Sequence, residues 1–193
     1  MTAPDDGLVR CDWAVGRPGG PDFELYRDYH DKEWGQPLHE RVPLFERMIL
    51  EAFQSGLSWL IILRKRENFR RAFAGFDIEK VARYTDADVA RLMADEGIVR
   101  NRAKIEATIA NARAAADVDD LSELLWSFAP PPRSRPATIA DVPTTTPEST
   151  AMARELKRRG FRFVGPTTAY ALMQATGMVD DHLRTCWVPS TAR

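Results

Sequence analysis

Cysteine and histidine are nearly absent from this chain: two of the one and three of the other among 193 residues. So few cysteines exclude a disulfide-stapled secreted scaffold. Long apolar runs are missing as well. The longest purely aliphatic stretch, Leu60-Ile61-Ile62-Leu63, falls far short of the roughly 20 residues that a bilayer span requires. The opening residues MTAPDDGLVR lack the basic region and apolar run of a signal peptide, so a cytoplasmic protein with no membrane partner is expected. Neither sign of charge prevails, and a formal net charge of −1 argues against a generic polyanion binder. No segment alternates as a strand does and no repeat is present, which leaves an all-α fold. With 44% hydrophobic residues, the chain has ample material for the core of one domain, or of two small lobes sharing a cleft.

What cysteine and histidine there is lies at the two ends: Cys11 and His30 near one, His182 and Cys186 near the other. The third histidine, His39, has no assigned role. Cys₂His₂ is a closed tetrahedral ligand set for structural zinc. Free buried thiols or a disulfide across the chain would account for the cysteines, but neither asks anything of the histidines. His182 and Cys186, four apart, share one face if that segment is helical, and the second Cys/His pair tips the balance toward zinc.

Most of the chain reads as helix. Pro43 lies near a helix start, with Leu44, Phe45, Met48, Ile49, Ala52 and Phe53 at helical spacing behind it and Gly56 at its end. Ser58 is expected to cap the next helix, which runs through Trp59, Ile62, Leu63, Phe69 and Phe73 to Gly75. Asp77 and Thr85 are N-cap candidates, the latter with Asp88 in a capping box. Further helices are expected over 100–116 and 121–128. Prolines 130–132 and 136 mark an internal linker over about 130–146, and Thr146-Pro147 opens a helix reaching Arg159.

Basic residues cluster at Arg64-Lys65-Arg66, Arg70-Arg71, Arg100, Arg102 and Lys104, and again at Lys157-Arg158-Arg159 and Arg162. A nearly neutral chain can still present a basic face to nucleic acid, although each cluster taken singly reads better as a solvated helix surface. The stretch LKRRGFRFVGPTTA over 156–169 outlines helix, apolar turn and second helix, the last starting at Thr167 or Thr168. Backbone N–H groups at such a turn and at the following helix start favour a phosphate, and arginines nearby supply the salt-dependent attraction.

Several motifs together resemble those of the DNA-3-methyladenine glycosylase I family, zinc-containing helix-hairpin-helix enzymes of base excision repair. They are RCDW (10–13), YHDKEWG (29–35), LEAFQSGLSW (50–59), LRKRENFRRAF (63–73), IVRNRAKIEATIANARA (98–114), WSF (126–128), KRRGFRFVGPT (157–167) and DHLRTC (181–186). The match covers almost the whole sequence in the family's order. It implies one glycosylase domain over 1–193, a helical bundle with two lobes around a base-binding cleft, a hairpin at about 152–176, and a zinc clamp joining the termini.

Carried over residue by residue, the resemblance assigns one structural zinc to Cys11, His30, His182 and Cys186, with no organic cofactor. It places Tyr29, Glu51 and Trp59 in the base pocket, together with Trp13 and Trp34. N3-methylation makes the adenine nucleotide cationic, which suits an aromatic pocket. From the residues alone, Glu51 is a helix cap or a surface ion pair with Arg47, and Trp126 is core. Leu57 reads either as a wedge filling the gap left by a flipped nucleotide or as helix packing. Hairpin contacts to DNA fall to Arg162, Val164, Gly165 and Thr167, although Phe163 replaces the first glycine of the usual hairpin.

The implied activity is monofunctional hydrolysis of the N-glycosidic bond of 3-methyladenine, leaving an abasic site. The hairpin stretch Gly165-Pro166-Thr167-Thr168 has no lysine to serve a lyase. Glu51 and Asp180 are the catalytic candidates. Where familiar members carry asparagine this chain has Asp180, a stabiliser of the oxocarbenium ion, a water-activating base, or the N-cap of a helix presenting His182 and Cys186; the cap is the favoured role. The expected partner is double-stranded DNA with alkylated bases, bound by a monomer. Two rival readings are a non-catalytic alkylated-DNA binding protein on the same scaffold and a zinc module for protein partners.

Overall fold

A computed structural model describes residues 6–14 and 22–190, and among these every regular element is helical. Nine α-helices follow in order: α1 Phe23–Lys32, α2 Arg41–Gln54, α3 Trp59–Ala72, α4 Ile78–Ala82, α5 Asp86–Ala94, α6 Arg102–Ala116, α7 Leu121–Trp126, α8 Pro147–Arg158 and α9 Pro166–Ala175. Among the described residues no helix is long and apolar enough to cross a membrane.

Local chemistry sets most of the helix starts. The side chains of Asp77, Asn101 and Asp120 accept from the backbone N–H three residues on, at the heads of α4, α6 and α7. Thr85 with Asp88, and Thr146 with Ser149, close reciprocal boxes at α5 and α8. Ser58 precedes α3 but makes no capping bond; its side of the turn borders a cavity instead. The second hairpin helix begins at Pro166, earlier than Thr167, because proline's missing N–H is one that a helix start leaves unpaired anyway.

Helix α2 is the central element, with Met48 to Phe53 buried without a break. It packs on α3, α6 and α9, while α8 packs on α9 to form the hairpin. Phe53, Phe69 and Phe73 are fully buried and in ring contact, each contributing on the order of 2–3 kcal/mol of burial. The basic face of α3 is largely neutralised within the fold: Arg64 pairs with Asp22, Arg66 with Glu33, and Arg70 with Glu46 and Glu67.

Two irregular segments, one after α9 and one between α7 and α8, depart from sequence expectation. The segment holding His182 and Cys186 is irregular, turned by a Cys186 N–H bond to the Leu183 carbonyl at 2.8 Å, so there is no helix for Asp180 to cap. The proline-rich stretch 130–146 is docked rather than loose. Arg133 and Arg135 alternate along it and pair with the consecutive Asp181 and Asp180 at 2.6 and 2.8 Å. Gly177 lets the chain leaving α9 pass close to the loop after α1: its φ is +73°, and a Cβ there would lie 2.7 Å from the backbone at Gln36 and Pro37.

Candidate active site and metal centre

A cavity of about 460 Å³ opens where α1, α2 and α3 meet α9 and the end of the proline-rich strap. Trp13, Tyr29, Trp34, Glu51 and Trp59, the five residues expected to hold a base, all line it. Their rings form a continuous cage: Trp13 and Trp34 are 5.0 Å apart at 74°, and Tyr29 and Trp59 are 5.2 Å apart at 45°. Edge-to-face arrangement leaves ring faces available to a flat ligand. The indole N–H of Trp59 is buried with no partner among the described residues, an unsatisfied donor beside the cavity.

Glu51 lies on the buried stretch of α2 and is 6% exposed. Burial pushes its carboxyl up to about 7, against the opposing charge of Arg47. The ion pair with Arg47 suggested by spacing is not made. Arg47 bonds Glu33 at 3.2 Å and lies 5.1 Å over the Tyr29 ring, so Glu33 takes up its charge and Glu51 faces the cavity without a salt bridge. Burial also raises the Tyr29 hydroxyl, keeping it a neutral donor.

Asp180 does not line this cavity. Its side chain is buried against Arg135 and Ser190 and borders a separate pocket beside His39 and Trp126. The aspartate that does reach the cavity is its neighbour Asp181, held by Arg133 at 2.6 Å, by the Tyr170 hydroxyl, and by Gln174 at 2.9 Å. Sequence reasoning passed over Asp181, Tyr26, Gln54 and Gln174, all cavity residues. Tyr26 was signalled by the aromatic stripe Phe23, Tyr26 and Tyr29/His30, spaced as one face of α1.

Against the cage lies the cluster of Cys11, His30, His182 and Cys186, all buried, with their donor atoms within 4.8 Å of one another, an arrangement that can hold a metal ion. Cys186 Sγ lies 3.5 Å from both His30 Nε2 and His182 Nδ1, and Cys11 Sγ 3.7 Å from His182 Nδ1. Surrounding groups aim these atoms. His30 Nδ1 meets Asp31 at 2.7 Å, and the buried Arg10 holds Asp31 at 2.8 Å. His182 Nε2 donates to the Trp34 carbonyl at 3.1 Å, and the Leu183 N–H donates to Cys11 Sγ at 3.2 Å. The two thiols oppose each other's ionisation, Cys186 being held down and Cys11 pushed up; a dication between them removes that conflict. His30 is 4.8 Å from His182 and Trp34 is 4.7 Å from His182, ring to ring, so the cluster directly buttresses the cage.

At the hairpin, Arg162, Gly165 and Thr167 are exposed, whereas Val164 is buried and anchors the turn. Phe163 takes a φ of +55°, the left-handed conformation that glycine serves at lower cost. The hairpin turn therefore persists without the glycine. Arg158 and Arg159 are tied to Glu155, while Lys157 and Arg162 make no ion pair among the described residues. Leu57 is 37% exposed in the α2–α3 turn.

Residues 21–189 match the model of the methyladenine glycosylase family. The chain is similar to the DNA-3-methyladenine glycosylase of Haemophilus influenzae, with 44% identity over 92% of this chain and 96% of that protein. Among solved structures it is similar to a 3-methyladenine DNA glycosylase I, with a TM-score of 0.87 and 43% identity over 93% of this chain and 98% of the other. It also resembles the Staphylococcus aureus enzyme, solved for the structural basis of its 3-methyladenine recognition. There the TM-score is 0.85 and the identity 34%, covering 94% and 98% of the two chains.

Proposed function

The chain belongs to the methyladenine glycosylase family, and from that premise we propose that it excises 3-methyladenine from alkylated DNA, the first step of base excision repair. The observation that carries this reading is a buried carboxylate, Glu51, without a salt bridge in an aromatic cage. A neutral base gives that carboxylate nothing to offset its desolvation. An N3-methylated adenine carries positive charge, stacks on the rings by cation–π attraction, and offers an exocyclic amine to Glu51. Selectivity thus comes from charge complementarity between a buried carboxyl and a cationic base.

Chemistry follows from the same charge. As the bond between N9 and C1′ breaks, its electron pair passes to the ring and the base departs neutral, so no proton needs to be donated to it. Water then bonds to C1′ and gives up a proton to solvent or to a nearby carboxylate. Asp181 is the carboxylate that the fold brings to the cavity for the positive charge developing on the sugar. Asp180 acts instead on the fold, as the partner of Arg135.

We assign zinc to the Cys11–His30–His182–Cys186 cluster. Bonds of about 2.3 Å to sulfur and about 2.0–2.1 Å to nitrogen would place tetrahedral S···N edges at roughly 3.6 Å, and the three edges made by Cys186 with both histidines and by Cys11 with His182 are 3.5 to 3.7 Å. Four protein donors leave no position for water, so a bound ion would supply structure and not a reactive hydroxide. Bound there, it would tie the segment around Cys11 and the one around Cys186 to the helix that carries Tyr29 and to Trp34.

The DNA is double-stranded in this reading. Leu57 fills the vacated stack, while α9's first turn and Arg162 engage phosphate, and a monomer acts in the bacterial cytoplasm. The test is a methylated duplex incubated with the protein and then treated with alkali. Breaks that appear only after alkali show abasic sites left by a monofunctional glycosylase. Tight binding with no breaks would show a non-catalytic reader of alkylated DNA.

A further inference from the structure

Helix α6 is rich in alanine, yet it buries three polar side chains, Lys104, Thr108 and Asn111. They follow one stripe at i, i+4 and i+7. Thr108 is satisfied within the helix, donating to the Lys104 carbonyl at 2.9 Å. The other two reach out to different loops.

Among the described residues Lys104 has no carboxylate partner. Its ammonium donates to the carbonyls of Phe53 at 2.9 Å and Ser55 at 2.6 Å, the last turn of α2 and the first residue beyond it. A cation there answers carbonyls that the helix leaves unpaired and the negative end of its dipole. Two residues further on, past Gly56 with a φ of +80°, stands the exposed Leu57. Asn111 grips the hairpin at two points: its Nδ2 donates to the Arg162 carbonyl at 3.0 Å, and its Oδ1 accepts from the Arg162 N–H at 2.7 Å. Only a carboxamide can donate and accept in this way with no net charge. The gripped residue adjoins Phe163, whose positive φ needs support.

We infer that α6 is a strut for DNA engagement, with Lys104 and Asn111 as positioning residues that fix the separation between the Leu57 turn and the hairpin turn. This rests on the glycosylase reading, in which Leu57 enters the stack while the hairpin holds phosphate. Seven helical residues separate the two grips by roughly 10 Å, a distance set by a rigid helix and not by the loops themselves. Misplacement of either by about 1 Å costs rate without changing what the base pocket binds.

The experiment compares single-turnover release of 3-methyladenine from duplex with binding of the free base, followed by tryptophan fluorescence. The variants are Lys104→Met, Asn111→Leu and, as a conservative rescue, Lys104→Arg. A strut predicts release slowed by about tenfold or more in the first two, free-base binding unchanged, and partial recovery in Lys104→Arg. In a Leu57→Ala background, Lys104→Met then adds less than about twofold, because the side chain it positions is gone. Full additivity in that background, or free-base binding lost in step with release, would reduce Lys104 to a helix cap and overturn the strut. Leu57→Ala protein as fast as wild type would overturn it too. Wild-type protein that releases no base refutes the glycosylase reading itself, and the strut with it.

Discussion

Replacing Glu51 by glutamine is predicted to abolish most base release while making the protein more stable at alkaline pH. The carboxyl sits at about 7 in the fold against an ordinary 4.5, because burial penalises its charge. A folded-state pKa above the unfolded one means that the folded chain keeps its proton longer. The associated stability is therefore fully present below pH 4.5 and is lost as pH rises through about 7. That interval corresponds to about 3 kcal/mol as an upper bound. Glutamine has the same shape and never ionises. Wild type and Glu51→Gln are thus expected to unfold nearly together at pH 5. By pH 8 the variant is the more stable by up to about 3 kcal/mol, on the order of 5–10 °C in Tm for a chain this size. Thermal unfolding at the two pH values, without ligand, reads this directly. A difference that stays the same at pH 5 and pH 8 would refute a buried, uncompensated carboxylate at position 51.

The remaining predictions concern the metal, the two aspartates and the hairpin. Elemental analysis is expected to find one zinc per chain, and Cys186→Ser protein to lose both the metal and a large part of its thermal stability; full stability in a metal-free variant contradicts a structural clamp. Asp181→Asn is expected to slow single-turnover release by at least about tenfold with free-base binding retained. Asp180→Asn, whose partner is Arg135, is expected to lower stability by about 1–3 kcal/mol with release per folded molecule unchanged. The reverse ranking would return the catalytic role to Asp180. Arg162→Ala is expected to reduce the salt slope of DNA binding by about one, measurable by titration at several salt concentrations, whereas Arg64→Ala, already neutralised by Asp22, leaves the slope unchanged.

Much of the site was legible because the chain spends rare residue types on it. Four scarce ligands at opposite ends are conspicuous without any coordinates, whereas Glu51 read from the residues alone as a cap or a surface ion pair and reached the pocket only through the family resemblance. Helices α4, α5 and α8 were legible from their starts, since Asp77, Thr85 and Thr146 act within three residues of themselves, whereas α6 was legible from its apolar stripe. Less visible was whatever depends on a crossing in space. Asp180 and Asp181 are adjacent and chemically identical, and only the docking of Arg133 and Arg135 sends one to the cavity and the other away. Helix α1 escaped notice because its buried side chains are Tyr29 and His30 rather than aliphatic residues, so the usual hydrophobic stripe is faint. The segment around His182 and Cys186 looked helical from a spacing that an irregular turn satisfies equally well. Lys104, which reads as one more basic residue in a cluster, is buried on carbonyls 49 and 51 positions away.

The most direct test of the account is to identify by chromatography the bases that wild-type and Glu51→Gln proteins release from methylated duplex DNA. The account predicts free 3-methyladenine from wild type and little or none from the variant at equal folded concentration. Equal release by both would show that the buried carboxylate does not carry recognition, and no release by wild type would contradict the glycosylase assignment.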